Sequence, residues 1–286
     1  MSYDLYLKPT RKDISLAQFR AYFAKREHYD LGKHQAWYEN KNTGVYFSFS
    51  YSDKGENGAE HFPIVFNINY CRPSFFVLEA EPEVTALISS FELTVYDPQV
   101  DGMGTGAYDG EKLITVWLAG NKLGYQAIVQ AQSQVYSLPS SQLKKVWSWN
   151  YHKDELEDLL REDIFVPKIL LMKYQEKPVT TCVWIDAIPA VIPPVDILIF
   201  FRINLAPENL PKNAEGVGIS SWSEFQPLLD RHKAKMIGEA YSLTYPSVPR
   251  EIQQKVKELP FVNLEDFESL PTDQVLDREI VQEYIK

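Results

Sequence analysis

The residues whose types suit chemistry are few and scattered. Gly102, Gly104, Gly106 and Gly110 crowd into one segment, Val100-Asp101-Gly102-Met103-Gly104-Thr105-Gly106-Ala107 followed by Tyr108-Asp109-Gly110. Glycine lets backbone amides approach a small-molecule ligand closely. Such a loop needs a buried parallel strand before it and a helix directly after it. Here Asp101 adjoins the first glycine and Tyr108-Asp109 delays any helix, so a plain inter-domain loop is the simpler reading. Gly218-Ile219-Ser220-Ser221-Trp222 begins like a turn that presents a nucleophilic serine but lacks the second glycine, and Ser220 and Ser221 read as helix caps. His28, His34, His61, His152 and His232 show no metal-ligand spacing. No catalytic residue, cofactor site or metal site is assigned.

Two surfaces suit a protein partner. Asp154 opens a helix with Leu156, Leu159 and Leu160 inward and Glu155, Glu157, Asp158, Glu162 and Asp163 outward, a carboxylate face able to dock a basic surface. The turn at Tyr38, Glu39, Asn40 and Asn42 is the other. Lys144-Lys145-Val146-Trp147-Ser148-Trp149-Asn150-Tyr151-His152-Lys153 interleaves bases with aromatics, as single-strand binders do. On a helix, Val146 and Trp147 join Leu143 on the core side, and the segment reads as core with a solvated rim.

The scaffold for these residues is an antiparallel sheet. Val45, Phe47, Phe49 and Tyr51 alternate with Tyr46, Ser48 and Ser50. Ile64, Phe66, Ile68 and Tyr70 repeat the pattern against Val65, Asn67 and Asn69. Period two marks strands with one apolar and one more polar face. Asn40 to Gly44 predicts the hairpin turn into Val45. Tyr3-Leu5-Leu7, Phe75–Leu78 and Leu93-Val95 add strands, with helices at Leu16–Arg26 and from Glu81 to Phe91. The fold class is therefore α+β, with two helices covering the sheet. Residues 1–98 read as this domain and 99–110 as a Gly-rich linker. Residues 111–286 read as a helical segment plus a second, smaller α+β domain. In it a long helix runs to Gln134, and two shorter ones begin near Ser140 and at Asp154. A hairpin spans Ile169–Ile185, a crossing loop covers Ile188–Pro194, and Ile197–Phe201 is a buried strand. A final amphipathic helix spans Thr272–Tyr284.

The 286 residues carry a net charge of -10, spread along the chain, which disfavours nucleic-acid binding because phosphate neutralisation needs clustered Lys and Arg. Two cysteines, Cys71 and Cys182, are too few and too far apart for a disulfide framework and imply a reducing compartment. Met1-Ser2-Tyr3-Asp4-Leu5-Tyr6 is no signal peptide, and no apolar run spans a bilayer. A cytoplasmic protein without a membrane segment is expected.

Two resemblances bear on function. The glycine segment resembles the loop of class I methyltransferases, which implies an S-adenosylmethionine site there. Met1–Tyr6, Trp37–Asn40 with Thr43–Phe47, and Arg72-Pro73-Ser74-Phe75-Phe76 resemble a loose group of uncharacterised bacterial proteins, similar in size and acidity to immunity proteins that neutralise polymorphic toxins. That resemblance implies a non-catalytic protein-binding module with a basic toxin domain as partner. Two other readings stay open: an enzyme whose site is assembled in the cleft between the two β regions, with S-adenosylmethionine or another small molecule at the Gly-rich loop, and a structural subunit of a larger assembly.

Overall fold

The computed structural model describes residues 1–53, 62–131, 134–160, 163–206 and 216–285. They form two units, residues 1–144 with 272–286 and residues 145–271.

The first unit contains β1 (Ser2–Pro9), α1 (Leu16–Phe23), β2 (Tyr29–Leu31), β3 (Gln35–Asn40), β4 (Val45–Tyr51) and β5 (Ile64–Asn69). There follow α2 (Phe75–Phe91), β6 (Leu93–Asp97), β7 (Gly104–Gly106), α3 (Gly110–Ala131), β8 (Tyr136–Leu138) and the start of α4 (Ser140–Leu159). Seven strands make one antiparallel sheet in the order β2-β3-β4-β5-β1-β6-β7, so the fold is α+β as the alternation implies. Val45, Phe47, Phe49, Ile64, Phe66 and Ile68 are buried on one face. Phe19 and Phe23 of α1 pack there against Tyr51 and Phe49, with ring centroids 5.6 and 5.1 Å apart. A capping box at Ser15 and Gln18 starts α1. On the other face the Tyr46 hydroxyl accepts from Arg72 Nε at 2.7 Å and donates to Asp273 Oδ2 at 2.9 Å, while Asn67 Nδ2 donates to Asp4 Oδ1 at 2.6 Å.

Phe75–Leu78 is not a strand but the opening of α2. A continuous apolar run suits either state, and here its side chains extend the stripe of Ala80, Val84 and Leu87. Pro82 lies inside this helix on its exposed side, where a missing backbone bond costs least. The fourth strand is instead β2, too short to show alternation. Segment 99–110 lies inside the first unit, where β6 and β7 form a hairpin edge. Asp97 organises it: Oδ2 accepts from the Tyr3 hydroxyl at 2.6 Å and the Met103 amide at 3.1 Å, and Oδ1 from the Gln99 amide at 3.1 Å. A Cβ on Gly102 would lie 2.5 Å from the Asp97 carboxyl carbon, so the loop closes this tightly only with glycine. An antiparallel hairpin whose amides turn onto its own carboxylate differs from the parallel strand and helix that a cofactor loop requires.

Thr272–Tyr284 is not one helix. A 3₁₀ turn (Thr272–Gln274) leads to a strand and then a short helix, Arg278–Gln282. The strand, Val275–Asp277, pairs in parallel with β8. Glu279 Oε2 accepts from the Ser140 hydroxyl at 2.5 Å and its amide at 2.9 Å, closing the start of α4. Those two bonds, the hydroxyl's first, hold the Glu279 carboxyl below the usual range. The folded-state value is the lower one. The stabilisation is therefore complete above about pH 4.3, the free glutamate value, and is lost as pH falls through the folded value. Glu279→Ala is expected to lower the urea midpoint at pH 7, by an amount that shrinks as pH falls below about 4.3.

The second unit takes over within α4, which runs unbroken where two helices are expected because no Gly or Pro interrupts Ser148-Trp149-Asn150-Tyr151. It continues with β9 (Leu170–Tyr174), β10 (Lys177–Ile185), β11 (Ala190–Ile192), β12 (Ile197–Phe201), β13 (Val217–Ser221), α5 (Trp222–His232), β14 (Lys235–Ile237), β15 (Ala240–Leu243), α6 (Arg250–Glu258) and β16 (Phe267–Ser269). One sheet has the order β13-β12-β10-β9-β16, with β10 central and β12 parallel to it, an interior strand between β10 and the edge strand β13 whose two-sided apolar run suits burial. Gln175 and Glu176, at φ of 49° and 63°, turn β9 into β10. A second sheet has the order β11-β15-β14. The Pro-rich segment Ile188–Pro194 thus holds a three-residue strand between its prolines and is not loop throughout.

Candidate functional site

The turn at Tyr38 is built around a carboxylate. Glu79, on the sheet side of α2 and 2% exposed, accepts at Oε1 from the Tyr38 hydroxyl at 2.8 Å, Asn40 Nδ2 at 2.9 Å and Thr43 Oγ1 at 3.0 Å. Asn40 Oδ1 in turn accepts from the Asn42 amide at 2.9 Å. Tyr38 and Asn40 are buried, so as contact residues they are withdrawn: their polar groups are spent on Glu79. Glu39 is exposed and Asn42 half-buried. Glu79→Gln keeps one acceptor oxygen but weakens three bonds. It is expected to cost about 1–2 kcal/mol, read as a lower urea midpoint for the first unit.

The acidic helix leads to a different surface. Lys145, Trp149, His152, Leu156 and Leu159 fall on one stripe of α4 at alternating spacings of four and three, so they line up along one side of the helix. This stripe forms one wall of a groove of about 510 Å³ within the second unit. The opposite side comes from Ile169, Pro193, Pro194 and the turn between β14 and β15. Gly238, at φ of 58°, makes that turn possible. The floor is apolar: Trp149, Leu156 and Ile237 also pack against buried Val166, Val191 and Ala240. Trp149 Nε1 donates to the Pro167 carbonyl at 2.8 Å, fixing its ring. Buried Asn150 exchanges two bonds of 2.9 Å with the backbone of Ile169 and holds α4 in place.

The rim is charged. Lys145 Nζ donates to both Glu239 oxygens, at 2.9 and 2.7 Å, across one end of the groove. Glu155 lies at its edge, and His152 Nδ1 lies 2.8 Å from the Ser148 carbonyl. Lys153 bridges Glu157 at 2.7 Å and Asp154 at 3.2 Å. Burial works against its ammonium, but these bonds outweigh that and raise its pKa above the ordinary lysine value. Burial first, and then the Lys153 charge, push the Lys168 ammonium down.

Of the acidic residues read as an outward face, Glu155 borders the groove, Glu157 is half-buried against Lys153, and Asp158 and Asp163 are exposed. Glu162 lies outside the described residues, as does His61. Leu159 is corrected. Read as inward, it stands 83% exposed at the groove's end, as the last residue of α4. Lys145 and Trp149, which the sequence places in a core segment with a solvated rim, line the groove, as does Glu239, which the sequence does not single out. The signal for the first two was the four-three stripe itself, and nothing local marks Glu239. Ser221 caps α5 through the Glu224 amide at 3.3 Å, as its spacing implies. Among the described residues no group of three or more His, Cys, Asp or Glu side chains is placed to hold a metal ion, and no helix is long and apolar enough to cross a membrane. No family model, curated protein or solved structure matches the chain.

Proposed function

We propose that this is a non-catalytic binding protein whose partner is another protein, and that the groove along α4 is its contact site. The observation that carries the reading is a groove with an apolar floor and a charged rim, continued by a leucine that stands free in solvent. Desolvation of such a floor supplies affinity, and the rim charges set orientation and rate. The resemblance of the N-terminal third implies the narrower form, an immunity protein that masks a basic toxin domain in the cytoplasm. A small-molecule site in the same groove is the second reading, favoured by its volume of about 510 Å³, which falls in the usual range for ligand cavities.

Site-specific photo-cross-linking tests this. A benzophenone amino acid at position 159 of the full chain, irradiated in the native host, is expected to yield one discrete protein adduct. The same group at Asp230 on α5 should yield none. An identical adduct pattern at both positions, or no protein adduct at 159, overturns the proposal.

A further inference from the structure

The reading of the groove as a protein contact can be taken one step further, to the chemistry of what lies in it. Lys145, Trp149, His152, Leu156 and Leu159 are separated by four, three, four and three residues, the spacing of a coiled-coil seam. A seam of that kind buries itself against a second helix. Here the other side of the groove is formed by two prolines and a turn, which leaves the helix's own length open. From Lys145 to Leu159 the stripe runs about 21 Å at 1.5 Å per residue, room for a helix of four turns. Among the described lining residues the one charge not paired within the groove is negative: Glu155, which flanks the seam on the helix. Glu239, opposite, forms an exposed pair with Lys145, and exposed pairs are weak and exchangeable.

We propose that the groove receives an amphipathic helix of the partner, with apolar residues at three-four spacing and Lys or Arg beside them. Its apolar side chains lie between Trp149, Leu156 and Leu159. Its cations pair with Glu155 and Glu239, one of them displacing Lys145. The inference rests on the protein-binding reading of the groove and adds the secondary structure and charge of the occupant.

The probes are two labelled 21-residue model helices built from leucine at seam positions, one with lysine at every other position and one with glutamate. Binding to the full chain is followed by fluorescence anisotropy at low and at physiological salt. The lysine helix is expected to bind the full chain at least about tenfold more tightly than the glutamate helix, a difference of about 1.4 kcal/mol, and to weaken as salt rises. Leu159→Ser, at an exposed site where the fold is not at stake, should weaken it several-fold. The double variant Glu155→Lys, Glu239→Lys should invert the preference, with circular dichroism confirming an unchanged fold. Equal binding of both helices, or binding unaffected by all three substitutions, overturns the inference. If the position-159 cross-link forms in the host but the lysine helix does not bind, the groove is a protein site for an occupant of other chemistry, and only this step fails. If neither occurs, both fail. A small molecule recovered from the groove that excludes the lysine helix would overturn both as well.

Discussion

Replacing Arg202 with methionine is expected to unfold the second unit at denaturant concentrations that leave the first intact, at a cost of about 1.5–3 kcal/mol. Arg202 is 2% exposed and its guanidinium bonds only to carbonyls. Nε donates to Gly216 at 3.1 Å, Nη2 to Val217 at 3.0 Å, and Nη1 to Leu259 at 2.8 Å and Val256 at 3.2 Å. Two of these carbonyls close the C-terminal end of α6, where the helix dipole favours a cation. The side chain thus ties the strand end at Phe201, the strand β13 and the end of α6 at one point, and its face lies 4.7 Å from the centre of the Phe261 ring. Burial holds its pKa below the ordinary arginine value, yet it remains a cation at neutral pH. Methionine fills the volume but takes the guanidinium from the Leu259 carbonyl and leaves the Gly216, Val217 and Val256 carbonyls with only the amides of residues 202, 262 and 259. Arg202→Lys is expected to rescue little, because one ammonium cannot span a fork that reaches carbonyls in three directions. Gly218→Ala should act the same way in milder form, since a Cβ there would lie 3.1 Å from the guanidinium carbon. Hydrogen exchange resolved by peptide checks this: β12, β13 and α6 should lose protection while β1 to β6 keep theirs. Uniform loss across both units would sink the prediction.

What the chain discloses before it folds follows the range of the interaction. The strands at Val45–Tyr51 and Ile64–Asn69 are legible because alternation is a property of consecutive residues, and the hairpins at Asn40–Gly44 and Gln175–Glu176 because turn chemistry is local. Phe75–Leu78 is ambiguous by nature: an apolar run with no polar partner on either side fits a buried strand as well as a buried helix. The signal against a strand is Glu79, whose carboxylate needs donors and finds them on β3 and its turn. Missing it also placed Tyr38 and Asn40 on the surface. The groove failed for another reason. A three-four stripe on α4 reports that one side is apolar without reporting what it meets, so Leu159 was given to the core when it faces water. The wall opposite, from Pro193 to Glu239, is far away in sequence and carries no local mark. Asp97 belongs with these: its role in the glycine-rich hairpin depends on Tyr3, at the other end of the sheet domain's sequence.

Asp277→Ala is expected to release the returning C-terminal segment and to cost the first unit about 1.5–3 kcal/mol. Asp277 is 0% exposed. Its carboxylate accepts from the Ser74 amide and hydroxyl, both at 2.8 Å, and from the Tyr125 hydroxyl at 2.7 Å. Burial, together with the Asp277 charge, pushes the Tyr125 phenol well above its ordinary value, so it stays a donor throughout the neutral range. One residue therefore joins the start of α2, the middle of α3 and the strand that pairs with β8. Around it, Asn121 Oδ1 accepts from the Cys71 amide at 2.7 Å and Asn121 Nδ2 donates to the Arg72 carbonyl at 2.7 Å, so α3 is already held to the turn before α2. Alanine would take the acceptor from the part-buried Ser74 amide and hydroxyl and leave the Tyr125 hydroxyl only the Arg72 carbonyl, 2.9 Å away. Asn at 277 keeps one acceptor oxygen and is expected to recover part of the loss, whereas deletion of residues 272–286 should match or exceed it. The readout is peptide-resolved hydrogen exchange with urea midpoints: Val275–Asp277 and Tyr136–Leu138 should exchange first, followed by α3, with the α4 groove and its sheets unchanged. If the segment 272–286 keeps its protection in Asp277→Ala, the parallel pairing of Val275–Asp277 with β8, rather than the buried carboxylate, holds the chain's end in place.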